Sequence, residues 1–137
     1  MLDMSMIRVL VVDDNDFMRD LVASMLREMG FRDIYHASDG EDALKRTMEV
    51  EPGLIVCDVD MEPMNGLDFV EHLRKQKPAD GIQVPVILLT AHTEAAIVQR
   101  AIKLGINGYV VKPVKKNQLE ARVLTALERT QPPPRGL

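Results

Sequence analysis

The chain has 137 residues, of which 46% are hydrophobic, and its formal net charge is −4. This length and apolar content suit one domain with a substantial core and are too small for two domains. The acidic balance argues against a nucleic-acid-binding protein, whose binding surface is normally basic. Cys57 is the single cysteine, which excludes an internal disulfide and favours a reducing compartment.

No apolar run approaches the roughly 18 residues that a membrane-spanning helix needs. The first residues include an acid, Asp3, and the apolar run after them has the length of a strand rather than of a secretion signal. We therefore expect a cytoplasmic, monomeric protein with neither a membrane nor a nucleic acid among its partners.

Strand-like and helix-like segments alternate along the chain. The predicted strands are apolar runs too short for helices, and the predicted helices carry apolar residues at helical spacing between capping residues, glycine and proline. In chain order the pattern predicts a strand at 7–12, a helix from 15 that stops at 30, a strand at 33–37, a helix from 39 that closes near 52, a strand at 54–57, a helix from 67 that ends before 78, a strand at 84–89, a helix from 93 that stops at 105, a strand at 108–111 and a helix at 115–129.

Five successive strand–helix units indicate an α/β fold, with a parallel sheet and helices on both faces. Helical spacing places Phe17 and Leu21 of the first helix, and Met48 of the second, toward the core. The domain is predicted to span residues 5–130. The Pro-rich residues 131–137 cannot continue a helix, so we expect a mobile tail with no room for an effector domain.

Polar side chains follow four of the predicted strands at the point where each strand ends. Asp13 and Asp14 follow the first strand, Asp58 follows the run that begins at residue 54, and Thr90 and Lys112 follow the last two strands. Taken singly, each is more often an ordinary loop residue. The carboxyl ends of parallel strands meet at one edge, where open α/β sheets bind ligands. The occurrence of all these polar residues at strand ends of one sheet therefore predicts a functional site.

Three carboxylates at one place repel one another, which raises the pKa of at least one of them. A divalent cation that prefers oxygen ligands removes this repulsion, and Mg²⁺ suits a site with few carboxylates and several waters. A carboxylate is also a nucleophile toward phosphorus. A metal, Lys112 and Thr90 could then meet the charge of a transferring phosphoryl group.

With these residues in place, the sequence resembles the response-regulator receiver family, and most closely its stand-alone chemotaxis-type members, over about residues 7–129. The motifs that carry the resemblance are the Asp13-Asp14 pair, Asp58 followed by Met61, Met64 and Gly66, Thr90-Ala91, and the run from Gly108 to Pro113. The resemblance implies a flavodoxin-like (βα)5 fold with strand order 2-1-3-4-5. It also implies a single-domain two-component response regulator.

In this family Asp58 would accept a phosphoryl group from a sensor histidine kinase or a histidine phosphotransfer protein. The phosphorylated form would then change its protein–protein interactions. Mg²⁺ would be held by Asp14, Asp58 and the backbone carbonyl of Asp60, with Asp13 acting through water. No enzymatic turnover is expected beyond self-catalysed phosphoryl acceptance and autodephosphorylation.

The resemblance assigns further roles near the same edge. Thr90 and Tyr109 would be switch residues, and the bond between Lys112 and Pro113 would be cis. Asp60 and His92, each two places after a site residue, would border the path of the hydrolytic water and set the lifetime of the phosphoryl group.

One position departs from the family pattern. Receivers usually have a proline four places after the phosphorylated aspartate, whereas this chain has Glu62 there and Pro63 one place later. The path of this loop is therefore left open.

Two other functions compete with the receiver. Asp58 and Asp60 match the Asp-x-Asp of haloacid-dehalogenase phosphohydrolases, but that motif belongs to a first strand and here lies in the third. A pseudo-receiver used only as a scaffold is the other alternative, and the complete set of site residues argues against it.

Overall fold

The computed structural model describes residues 3–76 and 81–130. After a short 3₁₀ turn at Met4–Met6, strands and helices alternate as the sequence predicts. They are β1 (Arg8–Val12), α1 (Asp16–Glu28), β2 (Asp33–Ala37), α2 (Gly40–Val50), β3 (Leu54–Asp58), α3 (Gly66–Lys75), β4 (Val86–Thr90), α4 (Ala95–Lys103), β5 (Gly108–Val111) and α5 (Lys116–Thr130). The predicted tail at 131–137 lies outside the described residues.

The strands form one parallel sheet in the order β2-β1-β3-β4-β5. The predicted α/β class and strand order 2-1-3-4-5 are therefore confirmed. All five residues of β3 and of β4 are buried, because helices cover both faces of a parallel sheet. This arrangement brings the carboxyl ends of β1, β3, β4 and β5 to one edge.

A hydrophobic core lies on each face of the sheet. Val9 and Val11 of β1 belong to one core with residues of α1 and α5, whereas Leu10 and Val12 belong to the other with residues of α2, α3 and α4. This alternation follows from the two-residue period of a strand. The two cores pack against both faces of the sheet beneath the edge where the polar residues lie.

Three residues that the sequence places toward the core instead face outward. Phe17 is 74% exposed, Met48 is 71% exposed and Leu21 is 37% exposed, so these predictions were wrong. An α-helix turns by about 100° per residue. Phe17 and Leu21 therefore lie on the far side of α1 from its buried residues, Val22, Ala23 and Leu26. The apolar stripe of α1 is wider than the surface that contacts the core, so the residues at its edge, Phe17 and Leu21, lie in solvent.

Side-chain caps hold the starts of α1, α2 and α3 at the polar edge. Asn15, Asp39 and Asn65 each accept a hydrogen bond from a backbone N–H three residues later, at 2.9 to 3.0 Å. Glu94 is the N-cap residue of α4 but makes no such bond. The start of α4 therefore lacks the side-chain cap that α1, α2 and α3 have.

No helix in the described ranges is long and apolar enough to cross a membrane.

Candidate functional site

Three aspartates converge where β1 and β3 end. Asp13 and Asp14 directly follow β1, and Asp58 is the last residue of β3. One carboxylate oxygen from each lies within 4.8 Å of the other two. Asp13 and Asp58 are only 2% and 3% exposed, while Asp14 is exposed. The neighbouring positions of β1 and β3 in the sheet therefore create a concentrated negative charge.

Backbone groups hold Asp13 in this cluster. Its N–H donates to the carbonyl of Ala37 at 3.1 Å, and its Oδ1 accepts from the N–H of Asn15 at 2.9 Å. Its Oδ2 is buried and has no hydrogen-bond partner among the described residues. Burial raises the pKa of Asp13. The hydrogen bond from the Asn15 N–H acts in the opposite direction, the charge of Asp58 raises the pKa further, and the net pKa is raised. A buried, unpartnered oxygen of this kind fits a cation site.

Lys112 supplies the positive charge next to Asp58. The Lys112 Nζ lies 2.9 Å from Asp58 Oδ1. Burial raises the pKa of Asp58, and the hydrogen bond and charge of Lys112 act in the opposite direction. Burial lowers the pKa of Lys112, but its bond to Asp58 and the charges of the aspartates outweigh that effect, so the net pKa is raised. Lys112 therefore stays protonated beside the buried carboxylate.

The peptide bond after Lys112 is cis, as the resemblance implied. The bond between Glu62 and Pro63 is also cis, which the sequence reasoning did not predict. It lies in the loop that departs from the family pattern, and Glu62 is exposed there.

A glycine allows α3 to begin directly against Asp58. A Cβ atom on Gly66 would lie only 2.2 Å from the Asp58 carbonyl oxygen, closer than any nonbonded contact allows. The Gly66 N–H donates to the carbonyl of Val59 at 2.9 Å. The sequence pattern marked Gly66 as part of a motif, and the structure shows the physical reason for a glycine there.

Thr90 ends β4 beside the aspartate cluster. Its side chain is wholly buried, and its Oγ1 accepts a hydrogen bond from the backbone N–H of His92 at 2.9 Å. Its carbonyl accepts from the N–H of Lys112 at 2.8 Å. The hydroxyl proton of Thr90 thus remains available to a further acceptor.

His92 connects three segments around the site. Its Nε2 lies 2.8 Å from Asp60 Oδ1, and its Nδ1 lies 3.3 Å from Glu94 Oε2. The bond to Asp60, followed by the bond to Glu94, raises the pKa of His92. The backbone carbonyl of His92 accepts a 2.5 Å hydrogen bond from the Tyr109 hydroxyl. The carboxylate of Asp60 is thereby turned toward His92, and its backbone carbonyl is the group that the resemblance assigns to the metal.

Several contacts of the site were missed by sequence reasoning. The sequence contains a local signal for the contact of Glu94 with His92, because an acid lies two places after the histidine. It contains no such signal for the bond from Arg19 to the backbone carbonyl of Asp13. Cys57, the single cysteine of the chain, is fully buried. Burial raises the pKa of its thiol well above the usual range, so it does not contribute a thiolate to the site.

Known proteins share this sequence pattern over most of the chain. A family model described as the response regulator receiver domain matches residues 9–124. The alkaline phosphatase synthesis transcriptional regulatory protein PhoP of Bacillus subtilis is 35% identical over 124 residues, 90% of this chain and 50% of that protein. The DNA-binding response regulator MtrA of Mycolicibacterium smegmatis is 35% identical over 127 residues, 93% of this chain and 53% of that protein. The chain spans about half the length of the curated relatives it matches.

Solved structures share the fold over nearly the whole chain. The chemotaxis protein CheY4 of Vibrio cholerae is 30% identical, with a TM-score of 0.76 over 92% of this chain and 99% of that one. The signal receiver domain of a histidine kinase from Syntrophus aciditrophicus is 27% identical, with a TM-score of 0.80 over 96% of both chains.

Proposed function

The chain belongs to the response regulator receiver domain family, and from this premise we propose that it is a phosphoacceptor of a two-component system. Asp58 would accept a phosphoryl group from a histidine kinase or a histidine phosphotransfer protein. The observation that carries this proposal is a nearly buried Asp58 with Lys112 Nζ at 2.9 Å and two further carboxylates within 4.8 Å. Receiver domains are signalling domains and generally not enzymes.

In the proposed transfer, an oxygen of Asp58 attacks the phosphorus of a phosphohistidine. The new O–P bond forms as the N–P bond breaks, and the electron pair of that bond stays on the imidazole, which takes up a proton. Lys112 keeps a positive charge at the attacking carboxylate, where it can meet the phosphoryl oxygens. Thr90 can donate its hydroxyl proton to one of those oxygens, because its Oγ1 already accepts from the backbone N–H of His92.

The donor set fits Mg²⁺. Carboxylate and carbonyl oxygens are the ligands this ion prefers, and the orphaned Oδ2 of Asp13 faces no other partner among the described residues. Asp14, Asp58 and the carbonyl of Asp60 would hold the ion, with Asp13 reaching it through water. When bound, Mg²⁺ supplies the positive charge that lets an anionic phosphoryl group approach a cluster of carboxylates.

We further propose that Thr90 and Tyr109 act as the switch. The loop between β4 and α4 is bonded on both sides, since His92 donates its N–H to Thr90 and accepts from Tyr109. If the phosphoryl group draws Thr90 inward, the His92 backbone moves with it and the Tyr109 hydroxyl loses its acceptor. Tyr109 would then repack, and the altered surface would comprise α4, β5 and α5.

The output is proposed to be a change in protein–protein binding, as in a stand-alone regulator. The fold is shared with CheY4, which is named as a chemotaxis protein, while relatives such as MtrA are named as DNA-binding proteins and are about twice as long. Amide exchange with and without a phosphate mimic should change mainly in α4, β5 and α5. Changes confined to α1 would contradict the proposed switch.

Intact-mass measurement with acetyl phosphate tests the function itself. The wild type should gain one phosphoryl group with Mg²⁺ and none with excess chelator, and Asp58→Asn should gain none. Asp20→Ala is a matched control, because Asp20 is an exposed aspartate of α1 outside the proposed site. Full labelling of Asp58→Asn would refute the assignment, and an unlabelled wild type would indicate a scaffold without phosphoryl transfer.

A further inference from the structure

Arg19 lies on α1, outside the residues assigned to the phosphoacceptor site, yet its guanidinium reaches back across the turn that precedes the helix. Its Nη1 donates to the backbone carbonyl of Asp13 at 3.0 Å. Its Nη2 donates to Asp16 Oδ1 at 2.7 Å. The side chain is only 18% exposed, so this is a mostly buried cation that bonds to Asp13, the first residue of the acidic pair, and to Asp16, the first residue of α1.

With the bond from Arg19, both backbone groups of Asp13 and one of its carboxylate oxygens are hydrogen-bonded. The N–H of Asp13 is bound to Ala37 and its Oδ1 to Asn15, and Arg19 takes its carbonyl. Only Oδ2 is left, and it has no hydrogen-bond partner in the described part of the chain. The backbone of Asp13 is thus held from both sides, and a single carboxylate oxygen remains for a cation or a bridging water.

The same bond acts on Asp14 through the peptide group that joins the two residues. This group is planar, so a hydrogen bond that fixes the Asp13 carbonyl also fixes the plane from which the Asp14 side chain departs. Asp14 itself is exposed to solvent, where neighbouring side chains constrain a carboxylate little. The direction of its side chain therefore depends strongly on the backbone that carries it.

We propose that Arg19 is a positioning residue for the metal site, holding the Asp13–Asp14 peptide group so that both carboxylates face Asp58. This inference rests on the proposed function, because it assumes that the aspartates bind Mg²⁺. Arg19 contacts neither the metal nor the phosphoryl group in this role. Residues that hydrogen-bond to metal ligands play the same role in other metal sites, and replacing them typically weakens metal binding by about 10- to 100-fold.

Electrostatics and positioning predict opposite changes in Mg²⁺ affinity when Arg19 is replaced. A nearby positive charge repels a divalent cation, so charge alone would make Mg²⁺ bind more tightly once the guanidinium is removed. Positioning would make Mg²⁺ bind more weakly, because the Asp13–Asp14 peptide group could then rotate. The direction of the change therefore separates the two effects.

The test is calorimetric titration of Mg²⁺ into the full chain at constant ionic strength. Arg19→Met keeps the length of the side chain and removes its charge and donors, and we expect Kd to rise roughly tenfold. Arg19→Lys should fall between this variant and the wild type, since it keeps one donor group. Arg46→Met is the matched control, because Arg46 also pairs with an acid three residues away, Glu49 at 3.3 Å, but on α2; its Kd should stay within about twofold of the wild type.

A phosphorylation assay separates positioning from a general loss of structure. At saturating Mg²⁺ the labelling rate of Arg19→Met with acetyl phosphate should return to within about threefold of the wild type, as it would if only metal affinity were reduced. Circular dichroism shows whether Arg19→Met is folded, and if it is not, Arg19→Lys alone decides. An unchanged or lower Kd in the folded variant would overturn the inference while leaving the proposed function intact. A wild type that binds no Mg²⁺ would overturn both.

Discussion

Replacing Asp13 by Asn should stabilise the metal-free protein and remove most of the stabilisation that Mg²⁺ provides. Asn is nearly isosteric, and its side-chain oxygen can keep the bond from the Asn15 N–H. Its amide replaces the buried Oδ2 that has no partner among the described residues. The substitution thus deletes one negative charge from the cluster with little change in shape.

The repulsion can be sized from the geometry. The carboxylate oxygens lie within 4.8 Å of one another, and two unit charges at that limit repel by about 3.5 kcal/mol at an effective dielectric constant of 20. Lys112 lies 2.9 Å from Asp58 and cancels part of this, so we expect Asp13→Asn to gain roughly 1 to 2 kcal/mol of unfolding free energy without metal. Mg²⁺ at 100 times its Kd should stabilise the wild type by about 2.7 kcal/mol, or roughly 9 °C in Tm.

The assay is thermal unfolding by circular dichroism, with excess chelator and with saturating Mg²⁺. Asp13→Asn should melt above the wild type with chelator and below it with Mg²⁺, so that the order of the two proteins reverses. Asp20→Ala serves as a surface control and should follow the wild type in both conditions. An equal rise with Mg²⁺ in wild type and Asp13→Asn would refute the reasoning, because the metal would then bind elsewhere.

Three further expectations concern other parts of the described structure. Asp60→Ala and His92→Ala should each change the decay rate of the phosphorylated protein by more than about twofold, or roughly 0.4 kcal/mol of barrier, and the double variant should be non-additive because the two side chains are bonded. His36→Gln should lose less unfolding free energy than the wild type when the pH falls below neutral, as measured by denaturant unfolding. Gly66→Ala should cost about 3 kcal/mol or more of stability and slow labelling of Asp58, because the added Cβ would meet the Asp58 carbonyl.

The expectation for His36 follows from the direction of its pKa. Burial, followed by the charge of Arg19, lowers the pKa of His36 in the folded state, so the unfolded chain binds its proton first as the pH falls. The contribution of His36 is therefore fully present above the unfolded pKa of about 6.5 and is lost as the pH falls from there toward the folded pKa. The charged groups that act on it are Arg19, Asp20 and Arg27 of α1 and Arg46 of α2. An unchanged pH slope in His36→Gln would contradict this assignment.

Controls sharpen the other two expectations. For Gly66→Ala the control is Gly53→Ala, whose Cβ would lie 3.2 Å from a methyl group of Ile7 that can shift, and we expect a loss of less than about 1.5 kcal/mol. Equal losses in both variants would mean that the contact with Asp58 is not the cause. Decay within about twofold of the wild type in all three variants at Asp60 and His92 would end the role proposed for that pair.

The sequence alone determined the elements and the residues at their ends. Short apolar runs and the 3.6-residue helical period are local properties of the chain, so they predict the alternation of strands and helices and the polar residues at the ends of β1, β3, β4 and β5. Because parallel strands end at a common edge, the pattern also predicted that these polar residues converge. The strand order itself came from the family resemblance, since periodicity does not say which strands are neighbours.

The tertiary structure alone decided the contacts between residues far apart in the chain. The resemblance placed Asp60 and His92 beside the same water path, but the bond between them, which spans 32 residues of the chain, depends on how the sheet places the loops after β3 and β4. The exposure of Phe17 depends on which side of α1 the core reaches, and the bond from Arg19 to Asp13 depends on how the turn between β1 and α1 folds back. Local spacing carries no information on these distances, because they are set by the packing of whole elements against one another.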